Sequence, residues 1–147
     1  MKSPTTADPS ARRRPLHYVG FGLVLVMALL QAYFAISAYV DPASFALSRG
    51  TTLAAAEDAD WVRIYASRTM FIALLLGYLL LSNRISVLKW AALLGTVMPV
   101  TDAVLAYQAG ADFGVVARHL ATLVYLLGTF VVLHFSLRKA APQPLSG

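Results

Sequence analysis

Asp102 is an acid placed inside an apolar run, Leu88–Tyr107, and basic residues stand at matching depth in two other runs: Arg68 in Trp61–Leu81, Arg118 and His119 in Val115–Leu137. An ionised side chain in hydrocarbon costs roughly 2.5–3.5 kcal/mol, so such groups should turn inward and pair. At the helical rise, Arg68 lies about 10 Å from the end of its run, Asp102 about 8 Å, and Arg118 and His119 about 5–6 Å. All four belong to the same end of the bundle, with Arg63 and Asp41 just above them. Asp102–Arg68 is the first pairing expected and Asp102–Arg118 the second. Tyr65 is three residues from Arg68 and shares its face, as Thr122 and Tyr125 share that of Arg118.

This set could hold a small anionic or amphiphilic ligand, such as a lipid headgroup or a quinone. Guanidinium groups supply charge and paired donors. Asp102 would orient them, and His119 could exchange a proton near neutral pH. Pro99, three residues before Asp102, removes a helical hydrogen bond and frees a carbonyl. The candidate cluster is therefore Arg68, Asp102, Arg118, His119, Arg63, Tyr65 and Asp41. The plainer reading is that the arginines snorkel to headgroups and Asp102 clamps helices together.

The elements that must position these residues are four runs, at 18–40, 61–81, 88–107 and 115–137, each close to the ~20 residues a spanning helix needs. Hydrophobic residues make up 59% of the 147 and charged residues 13%, with mean hydropathy +0.67, outside the balance of a soluble domain. The fold expected is all-α, an integral-membrane four-helix up-down bundle over 18–137. Residues 1–17 form a basic disordered tail and 138–147 a second one. The first run is too long for a signal h-region, so an uncleaved first helix is expected.

Threading four helices puts eight basic residues and one acid on one side, a net +7, and four basic residues and six acids on the other, a net −2. Basic residues in short loops favour the cytoplasm, so both termini are expected there. The positive charge flanks apolar spans, which argues for a lipid bilayer as partner and against nucleic acid. With no cysteine, disulfides and thiolate-ligated metals are excluded.

Asp41-Pro42 has the form of an N-cap followed by proline at the first helical position. It should open a short interfacial helix, Pro42–Ser48, with Phe45 turned to the membrane and Arg49-Gly50 ending it. Ser82–Ser86 and Ala109–Gly114 read as tight turns. Ala73/Gly77 and Ala91/Gly95 have the small-xxx-small spacing that allows close approach of helices or subunits. Trp61, Trp90, Tyr18, Tyr39 and Tyr107 mark span ends, as interfacial aromatics do.

No hydrolase, nucleotide-binding or metalloprotease motif is present. His17 and His134 could face each other across a haem, but nothing else supports it, and no cofactor is expected. An enzyme is the less favoured reading.

The order Asp41-Pro42-x-x-Phe45, Trp61-Val62-Arg63-x-Tyr65-x-x-Arg68, Pro99-x-x-Asp102-Ala103 and His119 resembles that of small bacterial four-helix inner-membrane proteins of uncharacterised function, similar in plan to DoxX-like proteins. The resemblance covers roughly Tyr18 to Leu137. It implies a bundle in the bacterial inner membrane with Asp41, Arg63, Arg68, Pro99, Asp102 and His119 as signature positions, and it lends no activity. Some DoxX-like proteins are linked to quinone-dependent oxidoreductase complexes, while this chain has no redox centre of its own. The function expected is thus a binding or accessory membrane protein with an outward-facing polar pocket. The alternatives are a structural or assembly partner, or a small subunit of a membrane oxidoreductase or transporter. A homo-oligomer or a membrane partner would fit either.

Overall fold

The computed structural model describes residues 13–138, which form six helices and no strand: α1 (Arg13–Val40), α2 (Pro42–Ser48), α3 (Asp58–Leu81), α4 (Ile85–Leu94), α5 (Val97–Gln108) and α6 (Phe113–Arg138). Four stretches are long and apolar enough to cross a membrane: α1 from Pro15, α3, α4 with α5, and α6 to Leu137. Only 17–22% of each apolar window is buried within the protein, so most of each span must meet lipid rather than water. The chain is a multi-pass membrane protein. Tyr18, Tyr39, Trp61, Trp90 and Tyr107 are all exposed near span ends.

Of the expected tails, 1–17 and 138–147, residues 1–12 and 139–147 lie outside the described residues, and Arg138 is the last residue of α6. Helix α1 already begins at Arg13, so residues 13–17 are helical and not part of a tail.

Local chemistry explains the joints. Asp41 caps α2 by accepting from the Ser44 amide at 3.0 Å, with Pro42 at the first helical position. The Asp58 carboxylate accepts from the Ala54 and Ala55 amides at 2.9 and 3.0 Å, fixing the entry to α3. Asn83, at φ +50, turns the chain from α3 to α4, and Gly110, at φ +72, turns it from α5 to α6.

The third span is interrupted at Gly95–Thr96, one turn before Pro99. A proline ring clashes with the carbonyl four residues back, here that of Gly95. That carbonyl is taken instead by the Met98 amide at 3.2 Å, in a tighter three-residue turn. The break thus sits upstream of the proline that causes it.

Helix α1 packs most extensively on α3 and also on α6, which in turn packs on both α4 and α5. The α1–α3 seam is lined by small buried residues, Ala28, Ala35 and Ala38 facing Ala66, Thr69 and Ala73, which lets the backbones approach closely. Val24, Leu80, Ile85, Leu88 and Leu133 close the bundle at the α3–α4 turn, with one residue or more from each span. Gly20 gives Leu133 room there: a Cβ would stand 2.6 Å from the Leu133 Cδ2, and that side chain would have to shift. At the opposite end Ala38, Phe45 and Ala66 form a second core with Phe34 and Val62. Phe45 is therefore buried, not turned to the membrane, because α2 folds back under α1 and α3.

Candidate functional site

Between these two cores lies a cavity of about 690 Å³. Its floor is α1 and α6. Its walls are α3, through Ile72, Leu75, Leu76 and Leu79, and α4–α5, through Leu88, Ala91, Ala92, Val97 and Met98. Helix α3 packs against α4 but makes at most slight contact with α5, so the wall between α3 and α5 is left unsealed.

The cavity's polar end is built from three spans and a loop. Asp102 on α5 reaches Arg49, whose Nη2 lies 3.3 Å from Oδ2. The same Nη2 donates to the Tyr65 hydroxyl on α3 at 3.4 Å. His119 on α6 is buried, with Nδ1 3.6 Å from the same Oδ2, just beyond hydrogen-bond reach. The Arg49 guanidinium also lies over two aromatic faces, 4.9 Å from the Phe34 centroid and 5.6 Å from that of Phe45. Phe45 and Tyr65 rings are 5.6 Å apart, so three aromatics and a carboxylate enclose the cation.

Backbone geometry puts Arg49 there. It caps the C-terminus of α2, and Gly50 follows at φ +86, a conformation glycine adopts at little cost. A Cβ on Gly50 would lie 2.7 Å from that of Ala111 and 2.9 Å from Val115 Cγ1. The loop after α2 is thus pressed onto the α5–α6 turn, and this close docking drops Arg49 over Asp102.

Three of the seven expected cluster residues, Tyr65, Asp102 and His119, come together. The other four do not. Neither expected partner of Asp102 is its partner. Arg68 is exposed, because the inward face of α3 runs through Ala66, Thr69 and Ala73. Arg118 is exposed and donates its Nε to the Gly114 carbonyl at 3.3 Å, while the inward face of α6 runs through His119, Leu126, Thr129 and Leu133. Arg63 pairs with Asp60 on the surface at 3.0 Å. Asp41 is exposed and spends its carboxylate on the α2 cap. Its carboxyl is held below the ordinary carboxylate range, first by the Ser44 side chain and then by the Ser44 amide.

Arg49 is the residue that sequence reasoning passed over. The signal was present in the Arg-Gly pair that ends an interfacial helix, since a glycine required at positive φ aims the residue before it.

Among the polar cavity residues deeper in, Thr122 and Thr129 turn their hydroxyls back onto the Arg118 and Tyr125 carbonyls. The Tyr125 hydroxyl donates to the Leu23 carbonyl, tying α6 to α1. A second cavity, about 270 Å³, lies on the far side of the polar group and is lined by Trp61, Thr51, Leu105 and Ala106. Arg49, Tyr65, Asp102 and His119 line both cavities and form the partition between them. Among the described residues, no group of three or more His, Cys, Asp or Glu could hold a metal ion.

The chain belongs to the family described as Domain of unknown function (DUF4267), whose model matches residues 28–133. That match takes in α2, α3, α4 and α5 whole and every residue of the polar partition. No curated protein and no solved structure matches the chain.

Proposed function

We propose that this member of a family of unknown function is a binding or accessory protein for a membrane-dissolved amphiphile. The ligand's head would lie against Arg49, Tyr65, Asp102 and His119, and its tail along the cavity between α3 and α4–α5. The observation that carries this reading is a single cavity, polar at one end and apolar along the rest, of a size typical for small-molecule sites. Arg49 and Tyr65 would donate hydrogen bonds, Asp102 would hold the guanidinium in place, and His119 would add a ring nitrogen from the buried side. The unsealed wall gives a tail access from the surrounding lipid.

The charge asymmetry of the loops supports placing both termini in the cytoplasm, and the resemblance to small bacterial inner-membrane proteins is what suggests a bacterial inner membrane. The polar partition would then open toward the outer leaflet. A second reading has its own support: Arg49 ties α2, α3 and α5 together, as a clamp would, in a protein that assembles with a membrane oxidoreductase or transporter.

Native mass spectrometry with an absorption spectrum separates the two, on protein extracted from its own membrane. A stoichiometric small molecule in the wild type that is lost in Arg49→Ala supports the binding site. A bare wild-type chain, with Arg49→Ala merely melting earlier, would leave only the clamp.

A further inference from the structure

The charges at the head of the main cavity cancel one another. Among its lining residues that the structure describes, Arg49 and Asp102 are the one arginine and the one carboxylate, 3.3 Å apart, and His119 is the one histidine. Resting on the amphiphile reading above, we infer that the ligand's head is uncharged and hydrogen-bonding, carried on a chain that lies in the apolar part of the cavity.

An anionic head would gain Arg49 only by crowding the Asp102 carboxylate that already holds it. A cationic head would gain Asp102 only by crowding Arg49. In either case an ion would leave water for a site whose own charges are matched, and nothing would offset its desolvation. A carbonyl or hydroxyl meets no such cost. It can accept from the guanidinium N–H groups not engaged by Asp102 and Tyr65, or exchange hydrogen bonds with the Tyr65 hydroxyl and the His119 ring.

Gln31 supplies a second polar position. It lines the cavity on α1, three residues from Phe34, which places it about 4.5 Å further along the helix axis. Its amide makes no hydrogen bond among the described residues, whereas the threonine hydroxyls nearby are spent on their own helices. Hydrogen-bonding groups free for a ligand are therefore confined to a short stretch at the head end. Beyond it the walls are mostly aliphatic, and the hydroxyls of Thr122, Tyr125 and Thr129 are spent on backbone carbonyls. A glyceride-type ester and hydroxyl head, or a ring dione, both have this chemistry.

The test uses the full chain in detergent and five single-chain probes with tails of similar length: a monoacylglycerol, an alkyl-1,4-benzoquinone, an ionised fatty acid, an alkyl phosphate and an alkyltrimethylammonium. Retention is read by native mass spectrometry across a concentration series. The expected result is one uncharged probe retained at one per chain, at least about tenfold more tightly than any ionic probe, or about 1.4 kcal/mol. Which uncharged probe is retained distinguishes the glyceride from the dione. Asp102→Asn, which leaves Arg49 uncompensated, should move preference about tenfold toward the fatty acid and alkyl phosphate. Anionic probes held as tightly as uncharged ones by the wild type would overturn the inference while leaving the amphiphile site standing. Equal retention of all five would overturn it as detergent-like adhesion. Retention of none would sink the underlying reading as well. Should Asp102→Asn fail to fold, the wild-type series decides alone.

Discussion

Arg49→Ala and Arg68→Ala make the most decisive pair of perturbations, because sequence depth favours one arginine as the partner of Asp102 and tertiary geometry favours the other. At 3.3 Å and an effective dielectric near 20, the gross attraction between Arg49 and Asp102 is about 5 kcal/mol. Desolvation offsets much of this, and the two side chains keep 27% and 32% of their surface exposed, which screens the pair further. A net coupling of about 1.5–2.5 kcal/mol is expected to survive, within the range for a hydrogen bond between charged groups. Loss of the stacking on Phe34 and Phe45 adds about 0.5–1 kcal/mol. Arg49→Ala should therefore cost about 2–3.5 kcal/mol, and Arg68→Ala, whose side chain is exposed, no more than about 0.5 kcal/mol. The assay is reversible unfolding in mixed micelles, with Asp102→Asn closing a double-mutant cycle against each arginine. Strong coupling to Arg49 and none to Arg68 is the expected result. A coupling to Arg68 equal to or larger than that to Arg49 would refute the assignment of the partition.

Gly50→Ala should cost about 2–3 kcal/mol, since it combines a left-handed backbone with contacts of 2.7 and 2.9 Å, while Gly110→Ala, at φ +72 with open space around it, should cost only the backbone share of about 1 kcal/mol. Equal losses in the same unfolding assay would show that the α2 loop is not pressed onto the α5–α6 turn. Tyr125→Phe removes the hydroxyl bond to the Leu23 carbonyl and should lower stability by about 0.5–1.5 kcal/mol, and an unchanged unfolding midpoint would count against that tie between α1 and α6. Asp41 has a carboxyl lowered from its ordinary value of 3.8, so its share of stability is present in full above that value and lost as pH falls through the lower native one. Asp41→Asn keeps a capping oxygen without the titration and should flatten the acid limb of the stability profile; an unaltered limb would contradict the cap.

The spans were legible because burial of apolar length in a bilayer is a property of sequence alone. The expected runs at 61–81 and 115–137 lie within α3 and α6, which extend them by only a few residues at their ends. Helix α2 was legible to the residue, since the Asp41 side chain and the Pro42 ring act on their immediate neighbours. The third span shows the limit of such local reading. Pro99 marks a disturbance, but the ring acts on the carbonyl of Gly95, so the break appears a turn earlier.

Depth along each span was enough to bring Asp102 and His119 to one level. Rotation about each helix axis was not available from depth. One residue's step is about 100° at 3.6 residues per turn, which is why Arg118 points away while His119 is buried, and why Arg68 is displaced from the Ala66–Thr69–Ala73 face. The partner of Asp102 lies 53 residues away in a loop that the spans do not contain. Hydropathy, charge placement and cap chemistry in the sequence determined a four-span membrane protein with an acid and a histidine inside the spans at one end. Which cation meets that acid, and that the meeting forms a partition beside an apolar cavity, only the tertiary structure decided. It did so because both depend on α2 folding back beneath α1 and α3 and on a glycine turn held against a distant helix.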